Sequence, residues 1–442
     1  MTSVYDCVIV GGRCAGAPLA RFLARAGKRV VVVDAAALPS DQPLSTHFIH
    51  PYGMRILDEL GLGERVRAIA PSIDTFRTGI GADVVALRFP PGQGGSCPRR
   101  IDLDAVLLDG AREAGAEIRV RCRVVDVIRE GERVVGVIVD DGGTRRELRA
   151  DVVIGADGRH STIAKRVGAD EYNAYDSPRC VYWAYWPRPS WYATDPRYEG
   201  GTLIAYDDDD LRIVFPTNRD QLLIGFGFPA TDDVAAFRAD PRGQLEAVLR
   251  AHPLTAPLVA GAPLTRPIGI VKARFYFRRA AGPGWALVGD AGLFKDPSPG
   301  LGIGDALRDA RALAAAIVEG GDAALERYWR ERDVASLPLF YFARDLGDPA
   351  YNNAFTRLCY QRLLAEPAQC ARLLDVIERR VSPYEVFGVG TILRWTFGAV
   401  LRGNFAVLGP FFKAGQVGAQ VAKALKQCRQ LVPAPRALGS AR

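Results

Sequence analysis

Residues 4–34 constrain the chain more tightly than any other stretch. Val4–Val10 is a short apolar run rich in β-branched residues, the composition of a strand buried on both faces. It breaks on Gly11-Gly12. Cys14–Ala26 is rich in Ala and Leu, closes on Gly27 and reads as a helix. Arg29–Val33 is a second apolar strand and ends on Asp34. Strand, glycine turn, helix and strand within about 30 residues make a β-α-β unit, which requires a parallel sheet covered by helices. In Val8-Ile9-Val10-Gly11-Gly12-Arg13-Cys14-Ala15-Gly16 the glycines allow a tight turn and a close approach of backbone to a phosphate at a helix N-terminus. Asp34 stands where a carboxylate accepts hydrogen bonds from ribose hydroxyls. Arg13 occupies the second glycine of the usual G-x-G-x-x-G. Taken alone, the turn therefore fits either a dinucleotide site or a plain turn in a doubly wound sheet.

Two distant segments bear on that choice. One is Ile154-Gly155-Ala156-Asp157-Gly158-Arg159-His160-Ser161. The other is Ala286-Leu287-Val288-Gly289-Asp290-Ala291, followed by Asp296-Pro297 and by Gly300-Leu301-Gly302-Ile303-Gly304. In the latter a strand delivers the Asp290 carboxylate, suited to a polyol hydroxyl. A glycine-rich turn then opens a helix, and the amides at a helix N-terminus stabilise negative charge on a ring beside them.

In this order and spacing the three segments resemble FAD-dependent aromatic hydroxylases of the single-component monooxygenase type, whose fold is shared by flavin-dependent halogenases and geranylgeranyl reductases. The resemblance covers roughly residues 1–330. It implies an α/β fold: a Rossmann-like, mostly parallel FAD-binding sheet (1–75, 100–179 and 271–330), an inserted antiparallel substrate sheet (76–99 and 180–270) and a C-terminal helical region (331–442). It also implies that Gly11, Gly12, Arg13, Cys14, Ala15, Gly16 and Asp34 hold the ADP half of FAD. Asp157 and Gly158 match the family's DG motif, and Gly289 with Asp290 matches the GD motif that contacts ribityl hydroxyls. Pro297, Gly300, Gly302 and Ile303 would lie beside the isoalloxazine. Arg100, in Arg100-Ile101-Asp102-Leu103-Asp104, resembles an arginine placed against the cofactor, and also fits a charge near a helix N-terminus. Thr46 and His47 fall in a loop that relatives run near the flavin. His47 is the candidate catalytic residue, with a hydrogen-bonded structural histidine as the alternative.

The activity implied is monooxygenation of a hydrophobic, possibly aromatic, small molecule: NADH or NADPH reduces FAD, and O₂ adds to give a flavin C4a-hydroperoxide. The protein's share is to position the cofactor and exclude water. The alternative is a flavin-dependent C=C reductase of the geranylgeranyl reductase kind, and a non-enzymatic flavoprotein stands behind it. Halogenases carry W-x-W-x-I-P on a central strand, and geranylgeranyl reductases a related Y-x-W-x-F-P followed by G-x-G. Here the strand is Leu211-Arg212-Ile213-Val214-Phe215-Pro216, with Gly225-Phe226-Gly227 downstream. Leu211 and Ile213 in the Trp positions argue against a halogenase and weaken the reductase reading.

The aromatic run Tyr182-Trp183-Ala184-Tyr185-Trp186 alternates as a strand does, so Tyr182 and Trp186 share one face. That face is a candidate wall of the substrate pocket; plain core packing is the other reading. Asp207–Asp210 reads as a solvated hairpin turn rather than a metal site.

Composition closes off other classes. A chain of 442 residues with 48% hydrophobic and 24% charged residues folds, and into more than one unit. The eight cysteines form no C-x-x-C pair and the four histidines do not join them, so neither structural zinc nor a disulfide framework is expected. No signal peptide is expected either, which gives a cytoplasmic reading. The formal charge of +7 is concentrated: residues 386–442 carry eight basic residues and no Asp or Glu, leaving 49 basic against 50 acidic elsewhere. This tail interrupts its apolar runs with Arg394, Arg402, Asn404 and Pro410, so it does not span a membrane. It fits a helical cap on the flavin domain, or an amphipathic surface on an anionic membrane. With membrane contact, a lipophilic substrate such as an isoprenoid quinone or polyketide gains weight. Nucleic acid is not expected, since the aromatics sit in apolar runs.

Overall fold

A computed structural model of the chain describes residues 5–40, 45, 47–232 and 234–430. Strand β1 (Tyr5–Val10) leads through Gly11 into helix α1 (Gly16–Arg25), and the chain returns as β2 (Val30–Asp34). Both strands are buried almost throughout, which explains their unbroken apolar character. They lie parallel, with Cys7 opposite Val30 and Val10 opposite Val33. Glu117–Val120 extends the sheet beyond β2, also in parallel.

On the other side of β1 lies β3 (Thr144–Gly155), twelve residues that serve two sheets. Residues 144–149 pair antiparallel with Arg133–Asp141, while 150–155 pair parallel with β1. β4 (Trp285–Leu287) adds beside the end of β3. The parallel strands thus point the same way and deliver Val10, Asp34, Gly155 and Leu287 to one edge. Helix α1 packs there against α2 (Arg100–Glu113) and α3 (Gly302–Glu319).

A seven-stranded sheet stands over that edge. It runs Ile268–Ile270, Arg179–Pro187, Gln221–Pro229, Asp210–Thr217, Thr202–Asp207, Thr75–Ile80, Asp83–Arg88. Every joint is antiparallel except Thr75–Ile80 against Thr202–Asp207, which is parallel because a long excursion separates the two in sequence. One face joins the main core through Trp183, Tyr185, Ile204 and Phe215. The other builds a second core from Tyr182, Trp186, Leu222 and Ile224, covered by Phe237 and by Leu245 and Leu249 of Pro241–Arg250.

The remaining chain is helical. α4 (Asp322–Gly347) runs as one helix through Pro338, which has no backbone N–H to donate. Leu337, Leu339 and Phe340 are buried around the proline, and this packing outweighs the lost backbone hydrogen bond. Ala354–Ala365, α5 (Val389–Val400) and α6 (Leu408–Gln430) follow, with α6 lying along α4. The α/β sheet, second sheet and helical end agree with the expected architecture. Asp207 and Asp210 pair across their hairpin, and Asp207 accepts from His252 at 3.1 Å. No group of metal-ligating side chains occurs among the described residues.

Candidate functional site

Beyond the carboxyl ends of β1, β2, β3 and β4 lies a cleft of about 480 Å³, the position at which open α/β sheets bind ligands. Its floor depends on glycine. Gly11 has φ +103°, and a Cβ there would sit 2.4 Å from the Ala156 carbonyl oxygen. A Cβ at Gly16 would stand 1.8 Å from the Gly11 carbonyl oxygen. Strand, turn and helix are therefore in direct backbone contact, which holds the α1 amides at the cleft.

Asp34 organises the turn. Its carboxylate accepts from the Gly12 amide at 2.9 Å and from the Ala36 amide at 2.8 Å. A carboxylate has further lone pairs, so it remains able to accept from a diol. Arg13, in the place of the missing glycine, folds sideways. Its guanidinium donates to Asp104 at 3.0 Å and to the Ser40 carbonyl and hydroxyl at 3.0 and 2.7 Å.

Asp104 escaped the sequence reading. It is buried, pairs with Arg100 through two 3.0 Å bonds, and accepts the Cys14 thiol at 3.5 Å. The signal that could have found it is the i, i+4 spacing of Arg100 and Asp104 on α2. The carboxylate fixes two cleft arginines that would otherwise repel each other. Positive charge is thus built into the wall where a pyrophosphate would lie.

Asp157 caps a short helix. It accepts from the Ser161 hydroxyl at 2.5 Å and from the Thr162 amide at 2.6 Å; burial pushes its carboxyl up while these bonds pull it down. Gly158 has φ +73° with open space where a Cβ would point. Asp290 faces the cleft with its side chain accessible from that space, while the protein packed around it raises its carboxyl against the pull of Lys295, Arg100 and Arg159. Gly300 has φ +67°, and Gly302, first residue of α3, has nothing within 4 Å of its missing Cβ. The α3 amides are open to whatever occupies the space.

His47 forms part of the wall and is 1% exposed, with φ +67°. Its Nε2 shares a short hydrogen bond with the Tyr185 hydroxyl, and the rings stack at 5.7 Å. The Arg99 guanidinium lies 4.4 Å above the Tyr185 ring. Burial, aided by Arg100 and Arg99, lowers the His47 pKa to about 3, so the imidazole is uncharged at neutral pH. Its buried Nδ1 has no protein partner. His50 differs: its Nε2–H donates to the Pro299 carbonyl at 2.9 Å, fixing the loop before α3.

Lys295 and Asp305, also unforeseen, line the cleft as a buried ion pair. Arg379 reaches the same carboxylate at 2.6 Å from the helical region.

The structure gathers Gly11, Arg13, Cys14, Ala15, Asp34 and His47 with Arg100, Asp157, Gly158, Gly289 and Asp290 around one space. Pro297, Gly300, Gly302 and Ile303 close it. Gly12 and Gly16 act from behind. Thr46 lies outside the described residues. Tyr182 and Trp186 require correction: they point away from the cleft into the second core, and Tyr182 lies 5.1 Å from the Phe237 ring. The alternation was read correctly, but the opposite face, that of Tyr185, turns toward His47.

The family model described as an FAD binding domain matches residues 4–337. The chain belongs to this FAD-binding family. A menaquinone reductase of Mycolicibacterium smegmatis is 31% identical over 336 residues, 73% of this chain and 78% of that one. A 6-methylpretetramide 4-monooxygenase of Streptomyces rimosus is 32% identical over 174 residues, 37% and 40% of the two chains. The crystal structure of a flavoprotein/dehydrogenase from Cytophaga hutchinsonii shares the fold at TM-score 0.75 and 18% identity, covering 90% of this chain and 99% of its own. The protein is an FAD-dependent oxidoreductase.

The cleft fits FAD by its own features. Two carboxylates, Asp34 and Asp290, face the space that ribose and ribityl hydroxyls need. Arg13 and Arg100 put positive charge at the wall, where a pyrophosphate would be met. Side-chain-free positions at Gly158 and Gly302 leave room, and an unpartnered imidazole nitrogen borders it.

Proposed function

We propose that the protein is an FAD-dependent monooxygenase acting on a hydrophobic small molecule that carries an ionisable hydroxyl, with NADH or NADPH as reductant. One oxygen atom of O₂ enters the substrate and the other leaves as water, with two electrons from the nicotinamide. Bound FAD supplies the oxygen-activating chemistry. The chain's share is the proton.

One observation carries this reading: His47 is held uncharged, its Nε2 is joined to Tyr185 and its Nδ1 is unpartnered at the cleft. A neutral imidazole so placed takes the substrate hydroxyl's proton at Nδ1 as its Nε2 proton passes to Tyr185, which enters this step as phenolate and leaves it as phenol. Removing that proton enriches the neighbouring carbon for attack by an electrophilic oxygen. The Arg99 guanidinium over the Tyr185 ring adds a positive charge beside the pair. In this reading Asp34, Arg13 and Arg100 hold the ADP half, Asp290 the ribityl chain, and the α3 N-terminus the ring.

A second reading is reduction of a C=C bond in a polyprenyl lipid. It is favoured by the breadth of the match to the mycobacterial reductase, which runs through both sheets, whereas the monooxygenase matches over little more than a third of the chain. The same pair would then deliver a proton to carbon.

Oxygen uptake and H₂O₂ release with NADPH or NADH, across a panel of phenols, test the choice. Phenol-stimulated uptake without matching H₂O₂, together with a product heavier by one oxygen, is the expected result. An aerobic enzyme that makes only H₂O₂, yet anaerobically adds two hydrogens to menaquinone, would replace the first reading with the second.

A further inference from the structure

Helix α5 turns its large apolar side chains outward. Val389, Leu393, Phe397 and Leu401 recur at every fourth position and are 77%, 50%, 66% and 71% exposed, while Trp395 and Ala399 on the opposite side are buried. The turn Phe405–Val407 packs against both α5 and α6 and continues the pattern, leaving Phe405 64% and Phe412 63% exposed. Scattered apolar residues are ordinary on a protein surface; six large ones on consecutive elements mark a surface that meets something.

The charges around them have one sign. No Asp or Glu occurs from residue 386 onward. Arg394 and Lys413 flank the stripe with side chains 65% and 70% exposed. Arg394 reaches Glu366 at 3.0 Å and Lys413 reaches Asp348 at 3.7 Å, both outside the segment. Arg402, Lys423, Lys426 and Arg429 have no acidic partner among the described residues. No helix among the described residues is long and apolar enough to cross a membrane.

We propose that this face seats the enzyme on the surface of an anionic lipid bilayer, the apolar stripe entering the acyl boundary and the arginines and lysines meeting lipid phosphates. A second copy of the chain is the poorer occupant. A two-fold interface is self-complementary, so pairing this face with itself would set Arg402, which has no acidic partner among the described residues, against its own copy beside a segment that supplies no carboxylate.

Flotation of the FAD-loaded, full-length protein tests the proposal. Protein should rise with vesicles of phosphatidylcholine and phosphatidylglycerol, remain below with phosphatidylcholine alone, and be released by salt. The double variant Phe397→Gln with Leu401→Gln should lower partitioning at least about tenfold, with flavin absorbance and melting unchanged. The variant Arg402→Gln with Lys413→Gln keeps the apolar stripe and should abolish the preference for anionic lipid. Wild-type protein that stays below with anionic vesicles overturns the proposal. So does a dimer in light scattering that the Phe397→Gln, Leu401→Gln variant converts to monomer, which would assign the face to a second copy.

Discussion

The cleft and the α5–α6 face invert the ordinary surface rule in opposite ways. In the cleft, charges are buried: Arg100, Asp104, Lys295, Asp305 and Arg379 pair inside protein. On the α5–α6 face, phenylalanine and leucine are exposed beside arginine and lysine that no carboxylate of their own segment balances. Burying charge costs stability and is tolerated where it preorganises a ligand. Exposing apolar area forgoes stability and is tolerated where a partner covers it. The comparison teaches that the same side chain carries very different weight in the two places, and mutation can measure this.

The largest effect falls where no side chain is allowed. Gly16→Val places carbon against the Gly11 carbonyl and must push α1 off the turn. The expected product lacks FAD altogether, read as the ratio of flavin to protein absorbance, and loses at least about 1–3 kcal/mol in urea unfolding. Full FAD occupancy would mean that the backbone contact does not set the cleft. Next comes Asp104→Asn, which leaves Arg13 and Arg100 facing each other without their anion. Loss of one partner from a buried pair costs about 3–5 kcal/mol, so the variant should fold marginally without FAD and regain stability with it. A cost below about 1 kcal/mol would make this pair equivalent to a surface bridge and erase the contrast.

Acid should sharpen it further. The His47 pKa falls to about 3 and the His50 pKa to about 4, against 6.5 for a free imidazole. Between those limits the unfolded chain binds protons that the folded chain refuses, so stability is complete above about pH 6.5 and declines as pH falls toward 4. Asp296, raised to about 6 by burial, acts with the opposite sign, since its folded form keeps a proton that the unfolded chain releases. His47→Gln should lower the dependence of unfolding free energy on pH by up to about 1.4 kcal/mol per pH unit between pH 4 and 6. An unchanged slope would show that His47 is protonated in the native state, and the proton-transfer reading would fall with it.

The same contrast shows how far sequence carries. The β-α-β unit was legible because short-range chemistry encodes it: a β-branched run, a glycine that no other residue replaces, and a carboxylate at a strand end. Asp290 and the α3 glycines stood out for the same reason, whereas Asp157 was singled out only through the family resemblance. The aromatic strand was half legible. Period two separates Tyr182 and Trp186 from Trp183 and Tyr185, but which pair turns toward His47 depends on where Pro241–Arg250 packs, some sixty residues later. Asp104 was obscured because its second partner, Arg13, is ninety-one residues away. The basic end was ambiguous because a cap and a membrane face share a composition, and which side chains of it are buried, Trp395, or exposed, Phe397 and Leu401, is set by tertiary packing that composition does not carry. A paired substitution makes the strand's two faces measurable. Tyr182→Phe should leave turnover unchanged, and Tyr185→Phe should lower it at least about tenfold with the melting temperature held.

The smallest effect belongs to the exposed face. Arg394→Gln removes an ion pair whose two side chains are 65% and 31% exposed, so unfolding should shift by less than about 1 kcal/mol. The mirror change at Glu366 is not equivalent. Glu366 also accepts the Trp395 indole N–H at 2.9 Å, and Trp395 is the buried anchor of α5. Glu366→Gln keeps an acceptor for that indole and should stay near the Arg394→Gln value, whereas Glu366→Ala leaves a buried donor unsatisfied and should cost about 1–3 kcal/mol. If Arg394→Gln alone cost that much, the arginine would be holding α5 in place, and its charge could not be assigned to a partner outside the chain. If it is nearly silent in unfolding yet weakens flotation with anionic vesicles, the charge serves the surface and not the fold.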